Sequence, residues 1–133
     1  MKNGLHTKFI GQNIVYYDEI GSTNIEAKRL AAEGAPEGTV VVAEAQGTGR
    51  GRLERKFFSP KGNGIWFSVI LRPKFLPQEA PKCTLLAAVA VAMAMERFGL
   101  RAGIKWPNDI LYEGKKLVGI LTEMNAEMDR INY

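Results

Sequence analysis

The hydrophobic positions of this chain fall into short runs separated by glycine, proline and charge, and the runs predict eight elements. Residues 13–20 (NIVYYDEI) are dense in β-branched and aromatic side chains and predict a strand ended by Gly21. Thr23-Asn24-Ile25-Glu26 has capping-box spacing, Thr23 covering the Glu26 amide and Glu26 reaching back, so a helix over residues 23–32 follows, closed by Gly34. Pro36-Glu37-Gly38 predicts a turn, and residues 39–45 (TVVVAEA) a strand apolar enough to be buried on both faces. A polar, basic stretch occupies residues 46–60, and a third strand is expected over residues 64–71. Pro73 and Pro77 mark a loop. Over residues 80–98 apolar side chains surround the helical axis almost completely, predicting a buried helix closed by Gly99. Residues 104–106 predict a short strand stopped by Pro107, while residues 110–112 and 115–123 flank Glu113-Gly114 as the arms of a two-residue hairpin. Residues 5–9 and 125–133 carry no clear pattern, although 131–133 reads as the opening of one more strand. The order strand–helix–strand–loop–strand–helix–hairpin indicates an α+β or mixed α/β layer fold.

Length and composition narrow this picture. At 133 residues, without internal repeats or a Ser/Gly linker, the chain is expected to form one domain over residues 1–133. Hydrophobic residues at 46% and charged residues at 24% are those of an ordinary globular protein and exclude disorder. Eighteen Lys and Arg against fourteen Asp and Glu leave a net charge of +4, which suits a polyanion, whether a nucleoside triphosphate or a nucleic acid. One cysteine, Cys83, excludes a disulfide framework and multi-cysteine metal clusters; one histidine, His6, excludes paired-histidine zinc chemistry within the chain. The longest uncharged apolar run, residues 85–95, is far short of the roughly 20 residues that cross a bilayer. Met1-Lys2-Asn3-Gly4 lacks the apolar segment of a signal peptide, so no membrane association and a cytoplasmic location are expected.

Two segments carry chemistry. Gln46-Gly47-Thr48-Gly49-Arg50-Gly51-Arg52-Leu53-Glu54-Arg55 joins two expected strands. Its alternating glycines are expected to supply positive φ and to leave backbone amides open to a phosphate. Arg50, Arg52 and Arg55 add planar forks that bind phosphate or carboxylate oxygens. Neither the Walker A nor the Rossmann glycine spacing is present. The plain alternative is a solvated basic loop, or an arginine-glycine tract that grips nucleic acid; a place between two strands, where ligand loops sit, favours a site. The second segment is Lys105-Trp106-Pro107-Asn108-Asp109. Pro107 halts the strand, which puts Asn108 and Asp109 at an edge where they could meet a ligand or Mg²⁺; the plain alternative is an Asx turn with Trp106 in the core. Of Lys115 and Lys116 after the hairpin turn, alternation lets at most one face inward.

Taken together, the segments resemble the catalytic domain of biotin–protein ligases (biotin–[acetyl-CoA-carboxylase] ligases). The resemblance rests on Ser22-Thr23-Asn24, on Gly49-Arg50-Gly51-Arg52 with Arg55-Lys56-Phe57-Phe58-Ser59-Pro60, on Lys105-Trp106-Pro107-Asn108-Asp109, and on Lys116-Leu117-Val118-Gly119-Ile120-Leu121-Thr122-Glu123, in that order along nearly the whole chain. It implies an α+β fold of the class II synthetase-like biotin/lipoate ligase type, a mixed, mostly antiparallel sheet packed against helices. It also implies two reactions with biotin and ATP as substrates and Mg²⁺ as the cation. The biotin carboxylate attacks the α-phosphate to give biotinyl-5′-AMP and pyrophosphate, and a lysine of a biotin carboxyl carrier domain then takes the biotinyl group and releases AMP.

The resemblance likewise implies roles. Ser22, Thr23, Asn24 and Gln46 would line the biotin pocket, with Trp106 and the third strand giving an apolar slot. Gly49, Arg50, Gly51 and Arg52 would close over biotin and the adenylate phosphate. Arg52, Arg55, Phe57 and Asn108 would bind the nucleotide. Lys116 would sit beside the biotin carboxylate and Asp109 would orient or deprotonate the acceptor amine, so Lys116, Arg52 and Asp109 are the catalytic candidates; no metal ligand is assigned. Phe57 stands where family members commonly have tryptophan, which loses an indole donor and predicts modestly weaker adenylate binding. Against the family pattern the chain stops at Tyr133, so the sheet is expected to be incomplete at the C-terminus and the C-terminal domain absent. Leu5 follows Met1 too closely for an N-terminal helix-turn-helix, and DNA binding by this chain is not expected. Monomer and homodimer both stay open, as do a lipoate-type acyl ligase of the same fold and a non-catalytic nucleic-acid-binding module.

Overall fold

The computed structural model describes residues 4–133. It contains strands β1 (Ile14–Ile20), β2 (Val40–Gln46), β3 (Trp66–Val69), β4 (Gly103–Lys105), β5 (Asp109–Tyr112) and β6 (Lys115–Gly119), with helices α1 (Thr23–Ala32) and α2 (Pro81–Arg97). The chain divides into two compact units, one running to Lys74 and joined by Ile131–Tyr133, the other Phe75–Arg130. The expected α+β architecture is present, its sheet taking the form of two three-stranded sheets, β1-β2-β3 and β4-β5-β6. Of the four strand pairings only β1 with β2 is parallel.

In the first unit α1 is the crossover between the parallel strands β1 and β2. Ala27 and Ala31 of α1 meet Val41 and Ile70 in the core, and Tyr17, Leu30, Ala35 and Tyr133 pack around them. Removing Val41 from water contributes roughly 1.5–3 kcal/mol. The C-terminus of α1 is closed as the sequence predicts: Gly34 has φ 92°, its amide bonds Ala31 O at 3.1 Å and the Ala35 amide bonds Leu30 O at 2.9 Å. That is the Schellman pattern, and Gly99 (φ 77°) repeats it behind α2 with Leu100 N bonding Met95 O at 3.0 Å. Arg72 adds a second closure, donating to Ala31 O (2.9 Å), Ala35 O (2.7 Å) and Asn132 O (2.9 Å), so the final residues are tied to the helix end.

The start of α1 differs from expectation. Ser22, not Thr23, is the N-cap, its hydroxyl accepting from Ile25 N at 3.5 Å. Thr23 is the first helical residue, and its hydroxyl is turned to Gln46. Glu26 therefore makes no capping box. Its carboxylate accepts from Arg29 and from the Tyr17 hydroxyl (2.6 Å), and these two bonds hold its pKa down at about 2.

In the second unit Ile110 of β5 and Ala88 of α2 are fully buried, and α2 neighbours β4 and β5. Glu113 (φ 49°) and Gly114 (φ 75°) make the predicted two-residue turn with both φ values positive. β6 ends at Gly119, four residues before the expected limit; beyond the Asp109–Gly119 pair one further backbone bond, Ile120 N to Asn108 O at 2.9 Å, follows the same register. The expectation of a helix buried all round is not met: only Ala88 of α2 is buried, and Leu86, Val89 and Met93 are exposed. A helix apolar on every side needs partners on every side, and the main neighbouring elements of α2 among the described residues are the short strands β4 and β5. Among the described residues no helix is long and apolar enough to cross a membrane.

Candidate active site

In the first unit the candidate residues converge on the start of α1 and the end of β2. The Thr23 amide donates to Gln46 Oε1 at 2.8 Å and the Thr23 hydroxyl to the same oxygen at 3.1 Å. Gln46 Nε2 donates to Ser59 Oγ at 3.0 Å. Ser68 Oγ reaches Thr23 Oγ1 at 2.9 Å and also bonds Asn24 Oδ1. Ser22, Thr23, Ser59 and Ser68 are all buried, so this is a polar cluster withheld from bulk water. Buried polar atoms are kept only when bonded, and here the bonds also fix donor directions. Ser59 and Ser68 were missed by sequence reasoning; the one signal for Ser68 was a hydroxyl inside the apolar run GIWFSVIL.

The basic loop leaves β2 and returns as a narrow antiparallel excursion. Gln46 N bonds Ser59 O (3.0 Å), Phe57 N bonds Gly49 O (2.8 Å) and Gly51 N bonds Arg55 O (2.7 Å), with bridges pairing Gln46 with Ser59 and Arg50 with Lys56. Its stem is anchored where Gly47 N and Thr48 N each bond, at 2.9 Å, the carbonyls of Ile20 and Gly21 after β1. The glycines do not act as expected. Positive φ in the loop falls at Leu53 (55°) and Glu54 (58°), which turn its tip. Gly49 is needed for space: a Cβ there would lie 2.3 Å from Phe57 O and 2.6 Å from Ser59 Oγ. Arg50, Arg52 and Arg55 project from this arm as exposed side chains. The Phe57 ring packs edge-on against Trp66 with centroids 6.1 Å apart, and the Trp66 indole donates to Pro60 O at 3.3 Å.

In the second unit the β5–β6 hairpin joins two candidates. Leu111 pairs with Lys116, so Asp109, two residues earlier on the same face of β5, lies diagonal to Lys116. Lys116 Nζ sits 3.0 Å from Asp109 Oδ1, an ion pair by distance whose angle leaves that buried oxygen without a hydrogen bond. The register shift between Ile110 and Leu111 marks a bulge, which turns the strand locally and re-aims such side chains. Asn108 donates its amide to Ile120 O at 3.0 Å and so pins the end of β6. Trp106 is 72% exposed, which overturns the core reading and leaves its ring available as a ligand wall. The Trp106–Pro107 peptide is cis. An apolar recess of about 400 Å³ beside α2, lined by Phe75, Cys83, Leu85, Leu86 and Val89 with Lys82, contains none of the candidate residues.

Among the described residues no group of three or more His, Cys, Asp or Glu side chains is placed to hold a metal ion. A divalent cation would therefore draw its oxygens mainly from a phosphate ligand, as Mg²⁺ commonly does.

Comparison with known proteins gives a consistent result. The sequence profile of the biotin/lipoate A/B protein ligase family matches residues 17–131. The chain is 54% identical over 129 residues to the bifunctional ligase/repressor BirA of Bacillus subtilis, covering 96% of this chain and 40% of that protein. It is 40% identical over 111 residues to the biotin–[acetyl-CoA-carboxylase] ligase of Paracoccus denitrificans, covering 79% of this chain and 44% of that one. The biotin protein ligase from Aquifex aeolicus solved in complex with biotin and ATP superimposes with a TM-score of 0.70 at 32% identity, covering 90% of this chain and 49% of that structure. The chain thus spans less than half the length of these relatives.

Proposed function

Given that the chain belongs to the biotin/lipoate A/B protein ligase family, we propose that it carries the biotin- and ATP-binding part of a biotin–protein ligase. The reaction is ATP-dependent formation of biotinyl-5′-AMP followed by transfer of biotin to a lysine of a biotin carboxyl carrier domain. The observation that carries this reading is the hydrogen-bonded Thr23–Gln46–Ser68 cluster, with Thr23 and Ser68 buried, at the foot of a three-arginine arm. It combines short hydrogen-bonding groups for a neutral ureido ring with cations for a carboxylate and a phosphate.

In the first step a carboxylate oxygen forms a bond to the α-phosphorus while the bond to pyrophosphate breaks. Two anions must approach in line, so catalysis consists of positioning and offsetting charge. Ser22, Thr23, Asn24 and Gln46 hold the ureido ring, Trp106 walls the apolar chain, and Gly49, Arg50, Gly51 and Arg52 cover the carboxylate and the adenylate phosphate. Arg55, Phe57 and Asn108 take the nucleotide; Mg²⁺ would be held chiefly by the triphosphate and would offset its charge. Lys116 neutralises the carboxylate. In the second step the carrier lysine amine attacks the acyl carbon and AMP leaves, with Asp109, whose carboxylate lies 3.0 Å from Lys116 Nζ, orienting that amine.

The test is incubation of the intact protein with biotin, MgCl₂ and α-labelled ATP, with lipoate replacing biotin in a parallel arm. Labelled biotinyl-AMP is expected only with biotin. An adenylate formed with lipoate instead would transfer the assignment to the lipoate branch, and no adenylate with either acid would end it.

A further inference from the structure

We propose that Ser59 is a positioning residue that sets the direction of the Gln46 carboxamide and ties it to the stem of the arginine loop. The inference rests on the biotin reading of the site, and it concerns a residue outside the groups assigned there to biotin.

A glutamine amide can be placed either way round, with its oxygen and nitrogen exchanged. At Gln46 the choice is made by chemistry. The Thr23 backbone N–H, a pure donor, lies 2.8 Å from one terminal atom, which must therefore be the oxygen. The nitrogen then faces Ser59 Oγ at 3.0 Å, and Ser59 must accept. Having accepted, Ser59 directs its own proton to Phe57 O, 3.1 Å away. The chain of donors thus runs in one sense, from Gln46 through Ser59 into the carbonyl of the residue whose amide closes the loop on Gly49. Because the amide is planar, fixing its oxygen and one N–H fixes the direction of the second N–H as well. At 2% exposure Ser59 has almost no water to substitute for it. The space is equally committed, since a Cβ on Gly49 would collide with both Ser59 Oγ and Phe57 O. One hydroxyl therefore belongs at once to the polar cluster and to the stem of the arm that bears Arg50 and Arg52.

The experiment compares wild type, Ser59→Ala and the isosteric Ser59→Cys in the intact chain, with two readouts. The first is the Gln46 side-chain amide pair in a ¹H–¹⁵N spectrum without ligand. Wild type is expected to show two well-separated, slowly exchanging protons; Ser59→Ala should bring them together and speed their exchange while backbone signals stay dispersed. The second is the biotin dissociation constant by calorimetry, expected to rise about tenfold in Ser59→Ala, as for a buried group left without its partner, and less in Ser59→Cys. Unchanged Gln46 signals in Ser59→Ala overturn the proposal, and so do altered signals with unchanged biotin affinity. If Ser59→Ala fails to fold, Ser59→Cys carries both readouts. Wild type that binds no biotin defeats the functional reading, while the Gln46 signals still decide whether Ser59 orients the amide.

Discussion

The arginine loop and the β5–β6 hairpin each bring cations to a candidate site, but they hold them by different means. In the loop the hydrogen bonds that make the fold also make the site: Gln46 pairs with Ser59 through both backbone and side chain, and Gly49 leaves room for Phe57 O. In the hairpin the β5–β6 ladder is made by backbone pairing and the side chains of Lys116 and Asp109 take no part in it, meeting across its surface as a partly exposed ion pair. Substitution in the hairpin should therefore separate chemistry from stability, whereas substitution in the loop stem should damage both together.

The largest effect is expected at Lys116. Lys116→Ala should slow biotinyl-AMP formation by about 10²–10³-fold, the usual loss on removing one preorganised charge-stabilising group. Partly exposed ion pairs contribute only about 0–1 kcal/mol, so the urea midpoint should hardly move. Single-turnover rates set beside denaturation curves check both halves of the statement. An adenylation rate near wild type would remove Lys116 from the chemistry, and a large loss of stability would show that the hairpin is no more separable than the loop.

Gly49→Ala should do the opposite. The added methyl meets Phe57 O at 2.3 Å, a backbone atom that cannot swing away as a side chain can. Overpacking of this kind costs about 1–3 kcal/mol. The urea midpoint should fall, and adenylation should fall with it because Ser59 and Gln46 are displaced together. Stability retained with activity lost would mean that the arm moves as a rigid piece, without strain reaching the core.

The same contrast explains what the sequence revealed. Both glycine-closed helix ends, the Glu113-Gly114 turn and the order of the elements were legible because each depends on residues a few positions apart. So were the residues of the polar cluster on α1 and β2, through their resemblance to a family motif. The N-cap was displaced by one position because the Thr23 hydroxyl is drawn to Gln46, 23 residues away, a partner that local spacing cannot reveal. Glu26 is drawn off as well, by Tyr17 nine residues back and by Arg29 one helical turn on, a local partner that competes with the capping box. Exposure of α2 and Trp106 was illegible for a further reason: an apolar side chain states what it would tolerate around it, not what neighbours it has. The role of Gly49 was read from conformation, whereas the structure makes it one of space.

The smallest effects belong to the two tips, where the comparison becomes one of turn chemistry. The hairpin tip places Glu113 at φ 49° beside a glycine, while the loop tip places Leu53 and Glu54 at 55° and 58° with no glycine next to either. A left-handed conformation costs a non-glycine residue about 1–2 kcal/mol, and glycine returns about 0.5–1 kcal/mol of that through the freedom of its unfolded state. Leu53 is 83% exposed, so little packing is lost with its side chain. Leu53→Gly should accordingly stabilise the protein by up to about 1 kcal/mol. Glu113→Asn should gain about half as much, because asparagine tolerates the conformation without the full entropic loss of glycine. Thermal melting of both variants checks the order. Because Leu53 lies between Arg52 and Arg55, the loop variant should also change adenylate retention, which the hairpin variant should leave untouched. A fall in stability for Leu53→Gly would mean that the leucine side chain is packed, and the strain at the loop tip would then have to be sought at Glu54 alone.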